Sequence, residues 1–273
     1  MEIKVQVLAS TSSGNSTLIW ADNKAVLVDC GIGIRRIRRC LLDCGLSLSD
    51  ISSVIITHSH GDHINPTTAK NLISSKIPLY FSRPVLRHLS GKHKFLIQAQ
   101  RNGLANTFGE HPFLSGEFNI RAFKVRHDSA GGCVGFSICL RRGNKVKKIT
   151  VSTDIASAGP ELIPCFIDSD IIIIESNHDR QMLMNSSRPA ILKKRITEKG
   201  HLSNDEAAEF ISQVIKVSKC PPLKIGLAHI SEECNNHEIA VRTMKNALKK
   251  SGCSATEIFL TYKSRPSEII CLT

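Results

Sequence analysis

Residues 58–63 read His58-Ser59-His60-Gly61-Asp62-His63, three imidazoles and one carboxylate directly after the β-branched, apolar run Ser53-Val54-Ile55-Ile56-Thr57. A strand delivers such a group to its C-terminal end, where a turn can fan the side chains around one cavity. On a helix the same residues would point in several directions. Imidazole and carboxylate are good ligands for zinc and similar divalent ions. A chance, exposed histidine cluster is the bland alternative, and the buried strand before it argues against that. The stretch calls for a fold in which other strand ends complete the site.

The rest of the chain offers such ends. His127 follows the strand-like run Phe118 to Val125, Asp154 follows Ile149 to Ser152, and His229 follows Lys224 to Ala228. Ile3 to Leu8, Thr17 to Trp20 and Ala25 to Val28 read as a meander ending at Asp29. Helical spacing predicts a helix over Ile34 to Cys44, and Asn65-Pro66 opens another. Val134 to Leu140 and Lys145 to Ser152 form a hairpin pattern, and Ile171 to Ile174 reads as a central buried strand. Ser203-Asn204-Asp205-Glu206 is a capping box before a helix to about Val217. Asn236 to Lys250 reads as an amphipathic helix and Glu257 to Tyr262 as a closing strand. Arg83 to Gly116 reads as irregular. With no repeat or linker, the expectation is one domain over residues 1–273, of α+β class, with two facing sheets and helices outside.

The ligand pattern, His-x-His-x-Asp-His followed by a His, an Asp and a final His, resembles the metallo-β-lactamase superfamily. The resemblance implies an αββα sandwich. It implies two divalent metal ions per chain, zinc or manganese with iron as a further candidate. His58, His60 and His127 would bind one, Asp62, His63 and His229 the other, and Asp154 both. It makes Asp29 an orienting residue for the ligand loop. Of 11 histidines, His88, His93, His111 and His237 are left as surface or structural residues.

Further motifs narrow the resemblance to the WalJ/YycJ-like nucleases. These are Leu8-Ala9-Ser10-Thr11-Ser12-Ser13-Gly14-Asn15-Ser16, Val134-Gly135-Phe136, Glu175-Ser176-Asn177-His178-Asp179, Gly200-His201-Leu202-Ser203 and Leu227-Ala228-His229-Ile230-Ser231-Glu232-Glu233. Thr11, Ser129 to Cys133 and Ile155-Ala156 depart from the family pattern without removing a ligand. The resemblance implies a 5′-to-3′ DNA exonuclease in which two metals activate a hydroxide held by Asp62, with His201, supported by Glu175, serving the phosphate or leaving oxygen. His178 would contact phosphate or make a structural hydrogen bond. An RNA-processing nuclease of the tRNA 3′-end type and a glyoxalase-like thioester or lactone hydrolase are the alternatives. Chain length and the short spacing from Asp154 to His229 leave no room for an inserted cap domain.

Charge points the same way. There are 36 basic and 24 acidic residues, a net charge of +12, which favours a polyanionic partner, nucleic acid or acidic lipid, and the family resemblance implies DNA. Lys193, Lys194 and Arg195, near His201, are the expected strand contacts. Arg35, Arg36, Arg38 and Arg39 crowd the first helix, either as a solvated face or as phosphate contacts. The ten cysteines are scattered without a Cys-x-x-Cys pair and read as buried free thiols. No secretory signal or membrane span is visible, so a soluble cytoplasmic protein without a membrane partner is expected.

Overall fold

Alternating apolar residues place side chains on both faces of an extended segment, and this chain buries both faces of two sheets. The computed structural model describes residues 2–273. Among them, the first sheet runs β1 (Ile3–Thr11), β2 (Gly14–Ala21), β3 (Lys24–Val28), β4 (Ile51–Ile55), β5 (Leu79–Ser82) and β6 (Ala105–Phe108) in spatial order. The second contains β7 (Phe113–Ser115), β8 (Phe118–Val125), β9 (Cys133–Arg142), β10 (Lys145–Ser152), β11 (Ile171–Glu175), β12 (Lys224–Ala228) and β13 (Glu257–Leu260). A last strand, β14 (Ile270–Leu272), returns to the first sheet beside β1.

Both sheets begin as antiparallel meanders and become parallel, from β3 onward in the first and from β10 onward in the second. Parallel neighbours need crossovers. In the first half these carry α1 (Ile34–Asp43), α2 (Pro66–Ser74), α3 (Arg83–Lys92) and α4 (Lys94–Arg101). In the second half they carry α5 (Ile163–Phe166), α6 (Arg180–Asn185), α7 (Ala190–Arg195), α8 (Asn204–Val217) and α9 (His237–Lys250).

The period of two is visible in the packing. Ile19 and Ala21 face the core between the sheets, while Leu18 and Trp20 pack outward with Ile37 and Leu41 of α1. Ile171 and Ile173 join the same central core, and Ile172 and Ile174 pack outward with Phe210 and Ile211 of α8. Fully burying one such aliphatic side chain contributes about 1.5–3 kcal/mol. The result is the expected αββα sandwich.

Several local readings change. The segment read as irregular from Arg83 to Gly116 contains α3, α4, β6 and β7. Each is short, and only Val85, Leu86, Leu89, Leu96 and Ala99 are buried on the two helices. Packing, rather than a strong intrinsic pattern, stabilises such helices. The strand at Glu257 stops at Leu260 and closes the second sheet; the final pairing belongs to β14. The cysteines are free as expected, but only four are buried, and Cys220 and Cys271 are exposed. No helix among the described residues is long and apolar enough to cross a membrane.

Candidate metal centre

β4, β8, β10 and β12 end at one rim of the sandwich, and the chain continues there into His58, His127, Asp154 and His229. His60 Nδ1 lies 3.0 Å from His58 Nε2 and 3.3 Å from His127 Nε2. One N–H cannot serve both neighbours, so lone pairs face one another around a common point. Zinc–nitrogen bonds of about 2.0–2.1 Å in a tetrahedron place ligand nitrogens about 3.3 Å apart, close to this spacing. His58, His63 and Asp154 form a second group, and Asp154, Glu175, His201 and His229 a third, with ligand atoms within 4.8 Å of one another in each. Asp154 belongs to both of the latter. Asp62 stands outside these groups, with Oδ2 3.4 Å from His63 Nε2.

The outer nitrogens are tied down, which fixes how the rings face the site. His63 Nδ1 meets Asp29 Oδ2 at 2.7 Å, and the same carboxylate accepts from the Thr57 backbone N–H and hydroxyl. His127 Nδ1 donates to the Gly200 carbonyl at 2.9 Å, and His58 Nδ1 sits 3.0 Å from Thr57 Oγ1. Glu175 Oε1 accepts from Nδ1 of both His201 and His229, at 2.8 and 2.7 Å. Its Oε2 accepts the Ile155 and Leu202 backbone N–H groups.

Three of these residues adopt the left-handed backbone region: Asp29 at φ 64°, Asp154 at φ 57° and His229 at φ 55°. Such conformations cost about 1–3 kcal/mol each and concentrate at functional sites. They occur here where strands end, and turn the side chains toward the shared rim. Gly31 is needed for a different reason. A Cβ at this position would lie 1.6 Å from the Asp62 carbonyl oxygen. Gly31→Ala should therefore push the Asp62–His63 backbone away from the segment after β3, lowering both melting temperature and the metal retained after dialysis. A variant with normal melting and metal content would show that the ligand loop tolerates this displacement.

Electrostatics also favour a cation. Burial opposes charge on His63, yet Asp154 and Asp29 together hold its pKa well above the usual imidazole range. Burial likewise opposes charge on His229, but Asp154 and Glu175 raise it to about 9. Glu175 is held down at about 2, against its burial, by His201 and His229. Burial and the neighbouring imidazoles, first His63, push His58 well below 6.5. Among the described residues, His229 Nε2 is buried without a hydrogen-bond partner, and Asp154 Oδ2 has only the His63 ring nitrogen beside it, at 3.0 Å. Unpartnered polar atoms in the interior are costly, and these two face the same ligand set. The donor set fits divalent metal ions.

A cavity of about 430 Å³ opens over this ring, and His60, Asp62, His127, Asp154, His201 and His229 line it. Several expected site residues lie elsewhere. Glu175 is fully buried and does not line the cavity, so it acts through His201 and His229 rather than on substrate. His178 is 1% exposed and also outside the lining; its backbone pairs with Ser203 and Asn204. Lys193 turns to the Met184 carbonyl and Lys194 toward Glu198. Of that basic trio only Arg195 reaches the cavity, where it pairs with Asp128.

The structure also adds residues that the sequence did not single out. Arg188 lines the cavity and pairs with Glu233. Asn15 places Nδ2 3.1 Å from Asp62 Oδ2 and 3.0 Å from His63 Nε2, while its backbone N–H donates to the Asp62 carbonyl. Its place in the Leu8–Ser16 motif, at the start of β2, was the available signal.

Comparisons with known proteins agree with this geometry. A model of the beta-lactamase superfamily domain matches residues 24–221. Exodeoxyribonuclease YycJ of Bacillus anthracis is 27% identical, with 97% of each chain covered. Exodeoxyribonuclease WalJ of Streptococcus pneumoniae is 29% identical, covering 99% of this chain and 97% of its own. Among solved structures, the metallo-beta-lactamase fold protein YhfI from Bacillus subtilis aligns with a TM-score of 0.69 at 16% identity, over 100% of both chains.

Proposed function

Because this chain belongs to the beta-lactamase superfamily and is a metal-dependent hydrolase, we propose that it is a dinuclear-metal phosphodiesterase, a DNA exonuclease working from the 5′ end. The observation that carries the reading is His201, which lines the cavity beside the metal ligands and is fixed by the buried Glu175 carboxylate. An imidazole held there suits protonation of a leaving alkoxide. A thioester hydrolase, whose thiolate can depart without a proton, gives that pair no comparable task. The full-length relatives named as exodeoxyribonucleases and the net charge of +12 support nucleic acid as substrate.

His58, His60 and His127 would hold one divalent ion, and Asp62, His63 and His229 the other, with Asp154 shared. Zinc or manganese, with iron as a further candidate, would acidify a water nucleophile and neutralise charge on the phosphoryl oxygens. The chain's own residues do the rest. Asp62, kept in place by Asn15, orients the attacking water at the cavity floor. His201, with Nδ1 engaged by Glu175, turns its remaining nitrogen to the cavity and protonates the leaving oxygen. Arg188 and Arg195 stand at the mouth in exposed pairs with Glu233 and Asp128. Such pairs are worth only about 0–1 kcal/mol, so backbone phosphates can replace the carboxylates.

Digestion of 5′-labelled and 3′-labelled DNA with Mn²⁺ tests the reading. Early release of mononucleotide from the 5′ label, with the 3′ label retained on shortening strands, is the expected result. Cleavage of RNA but not DNA would transfer the assignment to RNA processing. Cleavage of thioesters but of neither nucleic acid would overturn it.

A further inference from the structure

A second cavity of about 340 Å³ adjoins the metal cavity, and the two share Thr11, Ile230, Ser231 and Glu232. Its far side is formed by the Thr261–Ser264 loop after β13 and by the start of α9. Tyr262 lines it and is only half-buried. The Arg265 guanidinium, which is not part of the lining, stacks 3.8 Å from the centre of the Tyr262 ring. His237 meets that ring edge-on, with centroids 5.1 Å apart at 80°, and its Nε2 lies 3.2 Å from the Thr261 carbonyl. The aromatic ring is therefore braced on two sides at the edge of a cavity continuous with the reaction site.

Positive charge continues outward from this point. Arg36 of α1 donates to the Lys263 carbonyl at 2.6 Å and also to the Leu8 carbonyl, tying α1 to the Tyr262 loop. The same helix exposes Arg35, Arg38 and Arg39. Lys263 itself pairs with Glu232, a residue shared by both cavities. An aromatic platform joined to a basic track is the arrangement by which proteins hold single-stranded nucleic acid. The ring stacks a base while the cations follow the phosphates.

We propose that this cavity is a nucleobase subsite, in which Tyr262 stacks the base of a nucleotide next to the reacting phosphate and the α1 arginines guide the strand beyond it. The proposal rests on the nuclease reading and extends it by assigning the strand's path. Arg265 and His237 are positioning residues that keep the ring in place. Arg35, Arg38 and Arg39 on α1, which suited either a solvated face or phosphate contact in the sequence, are here phosphate contacts, while Arg36 holds the helix to the Tyr262 loop.

The test compares kcat/KM of the Mn²⁺-loaded protein on a short single-stranded DNA and on the same strand with abasic residues at both ends. Wild type should favour the intact strand by about 5- to 150-fold, the range of one base–aromatic stack. Tyr262→Leu, which keeps bulk for packing but removes the π face, should bring that preference near unity, chiefly through KM. Tyr262→Phe should retain it. In the exposed helix, Arg35→Ala combined with Arg39→Ala should weaken binding of both strands and flatten its salt dependence. A Tyr262→Leu protein that keeps the full preference, or a wild type without one, overturns the subsite while leaving the nuclease reading intact. A wild type that digests duplex DNA but neither single strand overturns the subsite and leaves the nuclease reading, and one that digests no DNA overturns both.

Discussion

Replacing Asp154 by alanine is expected to abolish hydrolysis and to leave the protein unable to retain its full complement of metal. The residue is 2% exposed and its two oxygens lie among the ring nitrogens of four histidines. Oδ2 is 3.0 Å from His63 Nε2, while Oδ1 lies 3.9 Å from His127 Nε2, 3.6 Å from His229 Nδ1 and 3.7 Å from His201 Nδ1. Its own pKa lies well below the usual carboxylate range despite burial, because His229, His63 and His58 favour its charged form. The carboxylate is thus the negative charge around which the imidazoles assemble. Losing a group behind a ligand typically lowers metal affinity or activity about 10–100-fold; loss of the shared ligand should exceed that, with turnover falling more than about a thousand-fold. Metal content after dialysis, read by mass spectrometry beside turnover at saturating Mn²⁺, checks both parts. Near-normal turnover with two ions still bound would eliminate the shared-carboxylate scheme.

The same residue illustrates what could be read from the chain alone. His58, His60, His63, His127, Asp154 and His229 are rare residue types at the ends of strongly apolar strands, so local pattern and chemistry pointed to one rim. The structure draws their side chains within a few ångströms of one another. Residues whose placement depends on the facing of short helices were not legible in this way. Lys193, Lys194 and Arg195 are consecutive, yet α7 sends only Arg195 to the cavity, because successive helical residues are rotated by about 100°. Arg188 reaches the cavity through a connection with no periodic signal. His178 lies three residues past the end of β11 but is turned inward, where its carbonyl accepts the Asn204 N–H at the start of α8. Glu175 was legible as a partner of His201, whereas its equal grip on His229 required the packing of β11 against β12.

His201→Ala should separate proton transfer from metal binding. His201 is not needed to hold the first group of imidazoles, and its nearest ionic partner, Glu175, keeps His229 and two backbone N–H groups when His201 is removed. Its side chain lines the open cavity, so truncation widens that cavity instead of leaving an enclosed void. Metal content and melting temperature should therefore stay close to wild type. Loss of a positioned general acid typically lowers the rate about 10²–10⁴-fold, and for DNA that loss should fall on kcat more than on KM. An activated diester whose leaving group is p-nitrophenolate provides the discriminating case. That oxygen departs without being protonated, so the variant should lose less than about ten-fold on it. If the variant instead loses equal rate on both substrates, His201 works by binding the phosphoryl group. If it loses metal as well, its place in the acidic group with Asp154, Glu175 and His229 makes it a ligand, and the leaving-group role falls.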